Sequence, residues 1–101
     1  MTRAHEGFER LQKEIAGEKA AALGRAGERL EAALQRVAEL ACALDIARDA
    51  ASRERLGQAY DAACRQAEQA RLMLLIQREA VGLRQHRVVD QQFPTPPPRR
   101  S

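Results

Sequence analysis

This sequence of 101 residues predicts an all-α fold, a long antiparallel helical hairpin. Three observations predict it. Twenty residues are Ala, the best helix former because it loses no side-chain entropy in a helix. Proline is absent before Pro94, and strand formers are sparse, with four Val, three Ile and two Thr. Apolar residues recur at helical spacing through two long stretches separated by helix-capping residues.

Residues 4–47 form the first stretch. With Phe8 at zero and a helical step per residue, Leu11, Ile15, Leu23, Leu30, Leu34, Val37, Leu40, Ala41, Leu44 and Ala47 fall within about 80° of one line. Away from that stripe, Glu6 precedes Arg10 and Glu9 precedes Lys13 by four residues. Each pair adds roughly 0.2–0.5 kcal/mol to a helix. Gly17, Gly24 and Gly27 interrupt the stretch, each at a cost of about 1 kcal/mol against Ala. The apolar stripe keeps its phase across them, which favours one continuous helix. The alternative is three helices in all, with a break near Gly24–Gly27.

The connection falls at Asp49-Ala50-Ala51-Ser52, where Asp49 and Ser52 are both N-cap types. The last helix is expected from about 53 to 81. Its stripe is Leu56, Ala59, Tyr60, Ala63, Ala67, Ala70, Leu74 and Val81, at the alternating spacing of an antiparallel coiled coil. Gly82 suits the residue just past a helix C-terminus, with Leu83 folding back and a short turn over 83–90. Residues 1–90 thus read as a hairpin domain. Residues 91–101, QQFPTPPPRRS, read as an extended proline- and arginine-rich tail.

Two stretches, EIAGEKAAALGRAGERLEAAL (14–34) and IQREAVGLRQHRVV (76–89), resemble a family of short bacterial helical proteins classed as a domain of unknown function. The resemblance covers about a third of the chain. It implies a helical fold and a bacterial origin and supplies no activity.

Net charge is +3 with a pI of about 9.4, well short of the positive field of a dedicated nucleic-acid binder. Residues 1–50 carry 8 basic and 9 acidic side chains, and residues 51–101 carry 9 and 5. The excess sits at Arg84, Arg87, Arg99 and Arg100, which are the candidate phosphate contacts. With Phe93 as the lone aromatic nearby, a solvated basic end is the plainer expectation. The tail Pro94-Thr95-Pro96-Pro97-Pro98-Arg99 also matches the pattern read by SH3-type grooves. A tail that is disordered or packs along the helices is preferred to that match.

No catalytic residues are expected. The histidines are His5 and His86, the helical body has one Ser, and no motif places a nucleophile beside a base. Neither a metal nor a cofactor is expected, because Cys42, Cys64, His5 and His86 lack the close pairing of structural zinc ligands. Both thiols read as small buried hydrophobes. No apolar run approaches the roughly 20 residues that span a bilayer. The N-terminus has no apolar signal core, so a cytoplasmic, membrane-free protein is expected.

The run Leu72-Met73-Leu74-Leu75-Ile76 is the strongest functional signal. Five consecutive apolar residues occupy every face of a helix, so all cannot use the Leu74 stripe. Cys42 and Ile46 likewise lie away from the first helix's main stripe. Leu72, Met73, Leu75, Ile76, Cys42 and Ile46 are therefore the candidate interaction residues. Association into a bundle, as a dimer, is the leading expectation. A three-helix monomer and docking on another helical protein are the alternatives. The expected function is a non-enzymatic protein-interaction or assembly module, with a small nucleic-acid-associated protein as the second reading.

Overall fold

The computed structural model describes residues 3–99 and contains three helices, α1 (Arg3–Ile46), α2 (Ala50–Ala80) and α3 (Arg87–Gln92). No strand occurs among the described residues. The molecule is a rod, 73 × 21 × 15 Å, formed by α1 and α2 packed against each other as a hairpin.

α1 passes through Gly24–Gly27 unbroken. A Cβ added at Gly17, Gly24 or Gly27 would meet nothing within 4 Å, so these glycines make no close approach and only weaken the helix. Gly24→Ala is therefore expected to raise stability by about 0.5–1 kcal/mol. An unchanged or lower urea midpoint would contradict that.

The turn is organised by side chains. Asp49 is the N-cap of α2, its Oδ2 accepting from the Ser52 N–H at 2.8 Å. That N–H holds the Asp49 carboxyl below its usual range. Arg53 reaches back and donates to the carbonyls of Leu44 (3.1 Å) and Ala47 (2.9 Å). α1 has no basic residue in its last turn, so Arg53 supplies from α2 the cation that a helix C-terminus favours. Asp49, not Ser52, is thus the boundary, and α2 starts three residues before the expected 53.

The far end of α2 closes at Gly82 as the sequence indicates, but Leu83 stays 41% exposed rather than folding back, and α3 takes up residues expected as turn and extended tail. Gly82 has φ +90, its N–H bonds to the Glu79 carbonyl at 3.0 Å, and the Leu83 N–H bonds to the Arg78 carbonyl at 2.9 Å. This is the paired C-terminal motif that a left-handed glycine permits.

Two buried clusters hold the hairpin. One joins Val37 and Leu40 to Tyr60, Ala63 and Ala67. The other joins Ala26 and Leu30 to Leu74, with Val89 of α3 added. The alanines let the helices approach closely, and the buried face of α2 matches its sequence stripe. α3 was not anticipated, because six residues are too few to show a periodicity. It turns the chain back over the hairpin, burying Val89 and half-burying Phe93 beside Leu30 and Leu74.

Candidate interaction surface

α1 has 44 residues and α2 has 31, a difference of 13 residues or about 20 Å of helix. Because the two are antiparallel and joined at Ile46–Ala50, the surplus projects as an N-terminal arm. Residues 3–21 are all exposed. Phe8, Leu11 and Ile15 retain 58%, 52% and 42% of their surface. They continue the stripe that Ala26, Leu30, Val37 and Leu40 bury further along the same helix. The arm therefore presents the packing face of a helix pair without its second helix. Its charges balance, with Arg3, Arg10, Lys13 and Lys19 against Glu6, Glu9, Glu14 and Glu18, and Glu9 pairs with His5 at 3.1 Å.

The run in α2 divides. Leu74 is buried and Leu75 packs half-buried against the second cluster, while Leu72, Met73 and Ile76 remain 58%, 48% and 47% exposed. These three lie in the half of α2 beside which the arm departs. Leu83 and Val88 are exposed near them in sequence.

Cys42 and Ile46, grouped with this run by helical phase, are not brought to it. Both are exposed, but Ile46 ends α1 at the turn, and Leu72 lies 22 residues along α2, about 33 Å away. The antiparallel chain direction separates what phase alone would join. Exposure of Cys42 also corrects its reading as a buried thiol, since it points away from the α2-facing stripe. Cys64 is half-buried against the first cluster, and both cysteines are free.

Three of the candidate arginines, Arg84, Arg87 and Arg99, do not form a cluster either. Arg84 and Arg87 are exposed at the α2–α3 corner. Arg99 lies at the other half of α2, where its Nη2 is 3.0 Å and its Nε 3.1 Å from Asp61 Oδ2. Arg100 lies outside the described residues.

The tail packs along the hairpin, one of the two behaviours expected of it. Arg71, only 16% exposed, pairs with Asp90 at 3.2 Å and donates to the Phe93 carbonyl, pinning α3 and the start of the tail. Pro96 is half-buried. The Tyr60 hydroxyl donates to the Pro97 carbonyl at 2.6 Å. Gly57 is buried beneath Arg99, and a Cβ added there would overlap the Arg99 guanidinium. Gly57, Tyr60 and Asp61, at helical spacing of three and four, make a notch that holds Pro97-Pro98-Arg99. Sequence reasoning missed this notch, although one signal pointed to it. A tyrosine on a buried stripe needs a partner for its hydroxyl.

His86 is also engaged. Its Nδ1 accepts from Arg78 Nε at 3.2 Å, which leaves Nε2 to donate to Glu79 at 3.1 Å. Among the described residues, no group of three or more His, Cys, Asp and Glu side chains is placed to hold a metal ion. No described helix is long and apolar enough to cross a membrane.

Burial of Tyr60, helped by the neighbouring Cys64 and Asp61, pushes its phenol above the usual value of 10.0. The folded state thus favours the protonated phenol, the form that can donate to Pro97. The stability this contributes is fully present below about pH 10 and is lost as pH rises through the folded value. Tyr60 is the sole tyrosine and there is no Trp, so phenolate absorbance reports it alone. Its native titration midpoint is expected above that of the urea-unfolded chain, and equal midpoints would contradict the assignment.

Comparison with protein-family models, with curated proteins and with solved structures finds no match.

Proposed function

We propose that the chain is a non-enzymatic assembly module that pairs with a second copy of itself through its N-terminal arm. One observation carries the reading. The arm's Phe8–Leu11–Ile15 stripe continues the hairpin's own packing face and, among the described residues, has no helix against it. A second arm laid antiparallel supplies the same kind of face, and the balanced charge of residues 3–21 sets no like-charge barrier between copies. Leu72, Met73 and Ile76, beside the root of the arm, extend the apolar surface that such a bundle buries. The cytoplasm as its site of action, and membership of the bacterial helical family resembled at 14–34 and 76–89, belong to the same proposal.

The test is the solution mass by light scattering at micromolar concentration and physiological salt. A dimer or higher oligomer that dissociates on dilution is expected. A monomer across the accessible concentration range would overturn self-association. Nucleic-acid binding is the weaker reading, because Asp61 neutralises Arg99 and α2 separates it from Arg84 and Arg87.

A further inference from the structure

The notch on α2 combines three features rarely needed by a helix whose only task is to pack on another. Gly57 stands at the eighth position of a 31-residue helix, inside its regular hydrogen-bonded part, at a cost of about 1 kcal/mol against Ala. Its missing Cβ is what lets the Arg99 side chain occupy the space against the helix backbone at that position. Asp61, one turn on, takes that guanidinium through Nε and Nη2. Between them Tyr60, itself only 5% exposed, aims its hydroxyl at the Pro97 carbonyl. Each element reads a different part of a Pro-Pro-Arg segment. The missing Cβ admits the guanidinium, the carboxylate selects its charge, and the phenol fixes the register of the extended backbone.

The ligand is equally well suited to being read. Four prolines between 94 and 98 hold an extended form with no internal hydrogen bonds, so little backbone entropy is lost on docking. The remaining contacts are shallow. Pro94, Pro97 and Pro98 are exposed, and open groove continues alongside the tail past Ala41, Leu44 and Cys64. The ion pair at Asp61 is one-third exposed on each side, so it contributes selectivity more than binding energy. A segment held by an exposed ion pair, one hydroxyl and one half-buried proline is exchangeable.

We propose that the Gly57–Tyr60–Asp61 notch is a recognition site for an extended Pro-Pro-Arg segment, filled in cis by the chain's own tail and open in trans to the tail of a second copy. The tether through α3 gives the cis tail an effective concentration on the order of millimolar, so exchange occurs where copies are held together at comparable density. The site does not depend on the arm interface and is tested without it.

The experiment uses the full chain carrying Arg99→Glu, which sets a carboxylate against Asp61 and frees the notch without touching the hairpin. A C-terminally amidated peptide of residues 91–99 is titrated in while the Tyr60 ring resonances are followed by NMR. They are expected to shift saturably, with affinity about tenfold or more above that for the unsubstituted chain, whose cis tail competes. The same peptide carrying R99E is expected to bind about tenfold more weakly, because it loses the pair and also sets a carboxylate against Asp61. Adding Gly57→Ala to the Arg99→Glu chain is expected to weaken the response several-fold, because the peptide's guanidinium must shift away from the added methyl. That variant keeps its fold, because the methyl would meet only Arg99 side-chain atoms, which the Arg99→Glu chain lacks, and Ala favours the helix. No response from the Arg99→Glu chain, or an equal response with Gly57→Ala present, would overturn the proposal. Loss of arm-mediated dimerisation would alter the mass and leave this titration unchanged.

Discussion

Leu30→Ala is expected to cost about 2–5 kcal/mol, the range for truncating a fully buried leucine where the surroundings relax only in part. Leu30 is 0% exposed, the most completely enclosed large side chain among the described residues. It sits where all three helices meet, beside Ala26 on its own helix, Leu74 on α2 and Val89 on α3. Its loss removes the apolar floor on which α3 rests as well as the α1–α2 contact. Single domains have only about 5–15 kcal/mol in total, so the change takes a large share of the stability. In a domain of this length it moves the melting temperature by about 4–8 °C for each kcal/mol. Urea unfolding followed by far-UV circular dichroism measures it. Leu72→Ala is the control, since Leu72 is 58% exposed and its truncation in the monomer is expected to stay within about 0.5 kcal/mol. If both substitutions cost the same, Leu30 is not the centre of the core.

The second large effect concerns association. Leu11→Asp with Ile15→Asp is expected to leave the helix content intact, because neither side chain touches the hairpin core, and to convert the oligomer to monomer. In a symmetric pair the two substitutions remove four apolar side chains, each worth about 1.5–3 kcal/mol when fully buried. The dissociation constant is then expected to rise more than about a thousandfold, at 1.4 kcal/mol for each factor of ten. Leu72→Asp with Ile76→Asp probes the outer face of α2 in the same way. Leu75 is left alone because it packs against the core, and changing it would mix unfolding with dissociation. A monomer from the arm variant alone assigns the interface to the arm. An unchanged mass in the arm variant would sink the proposed pairing.

The two variants differ in kind. The Leu30 substitution acts on a contact within one chain, whereas the arm substitutions act on surface that one chain leaves bare. Their outcomes are independent, so a destabilised Leu30 variant leaves the assembly question open to its own test.

Much of this architecture is legible in local chemistry. Twenty alanines, the absence of proline before Pro94 and two apolar stripes of constant phase determine two long helices that face each other. Asp49 and Gly82 determine where the second helix starts and stops, because capping depends on a side-chain oxygen and on a left-handed backbone within a few residues. The five-residue apolar run shows that one helix has more apolar surface than a single face can bury. These are short-range properties, and short-range interactions decide them.

The tertiary structure alone decided the rest, because it depends on which distant residues meet. The antiparallel turn carries Ile46 and Cys42 away from Leu72–Ile76, although helical phase treats them alike. The unequal helix lengths strip Phe8, Leu11 and Ile15 of a partner, while the same stripe farther along α1 is buried. The return of α3 buries Val89 and seats a proline segment on Gly57, Tyr60 and Asp61, some 40 residues earlier in the chain. A periodic pattern records which face of a helix is apolar. It holds no record of how far the facing helix extends or of which segment comes back to cover it, since both are determined by the packing of the whole chain.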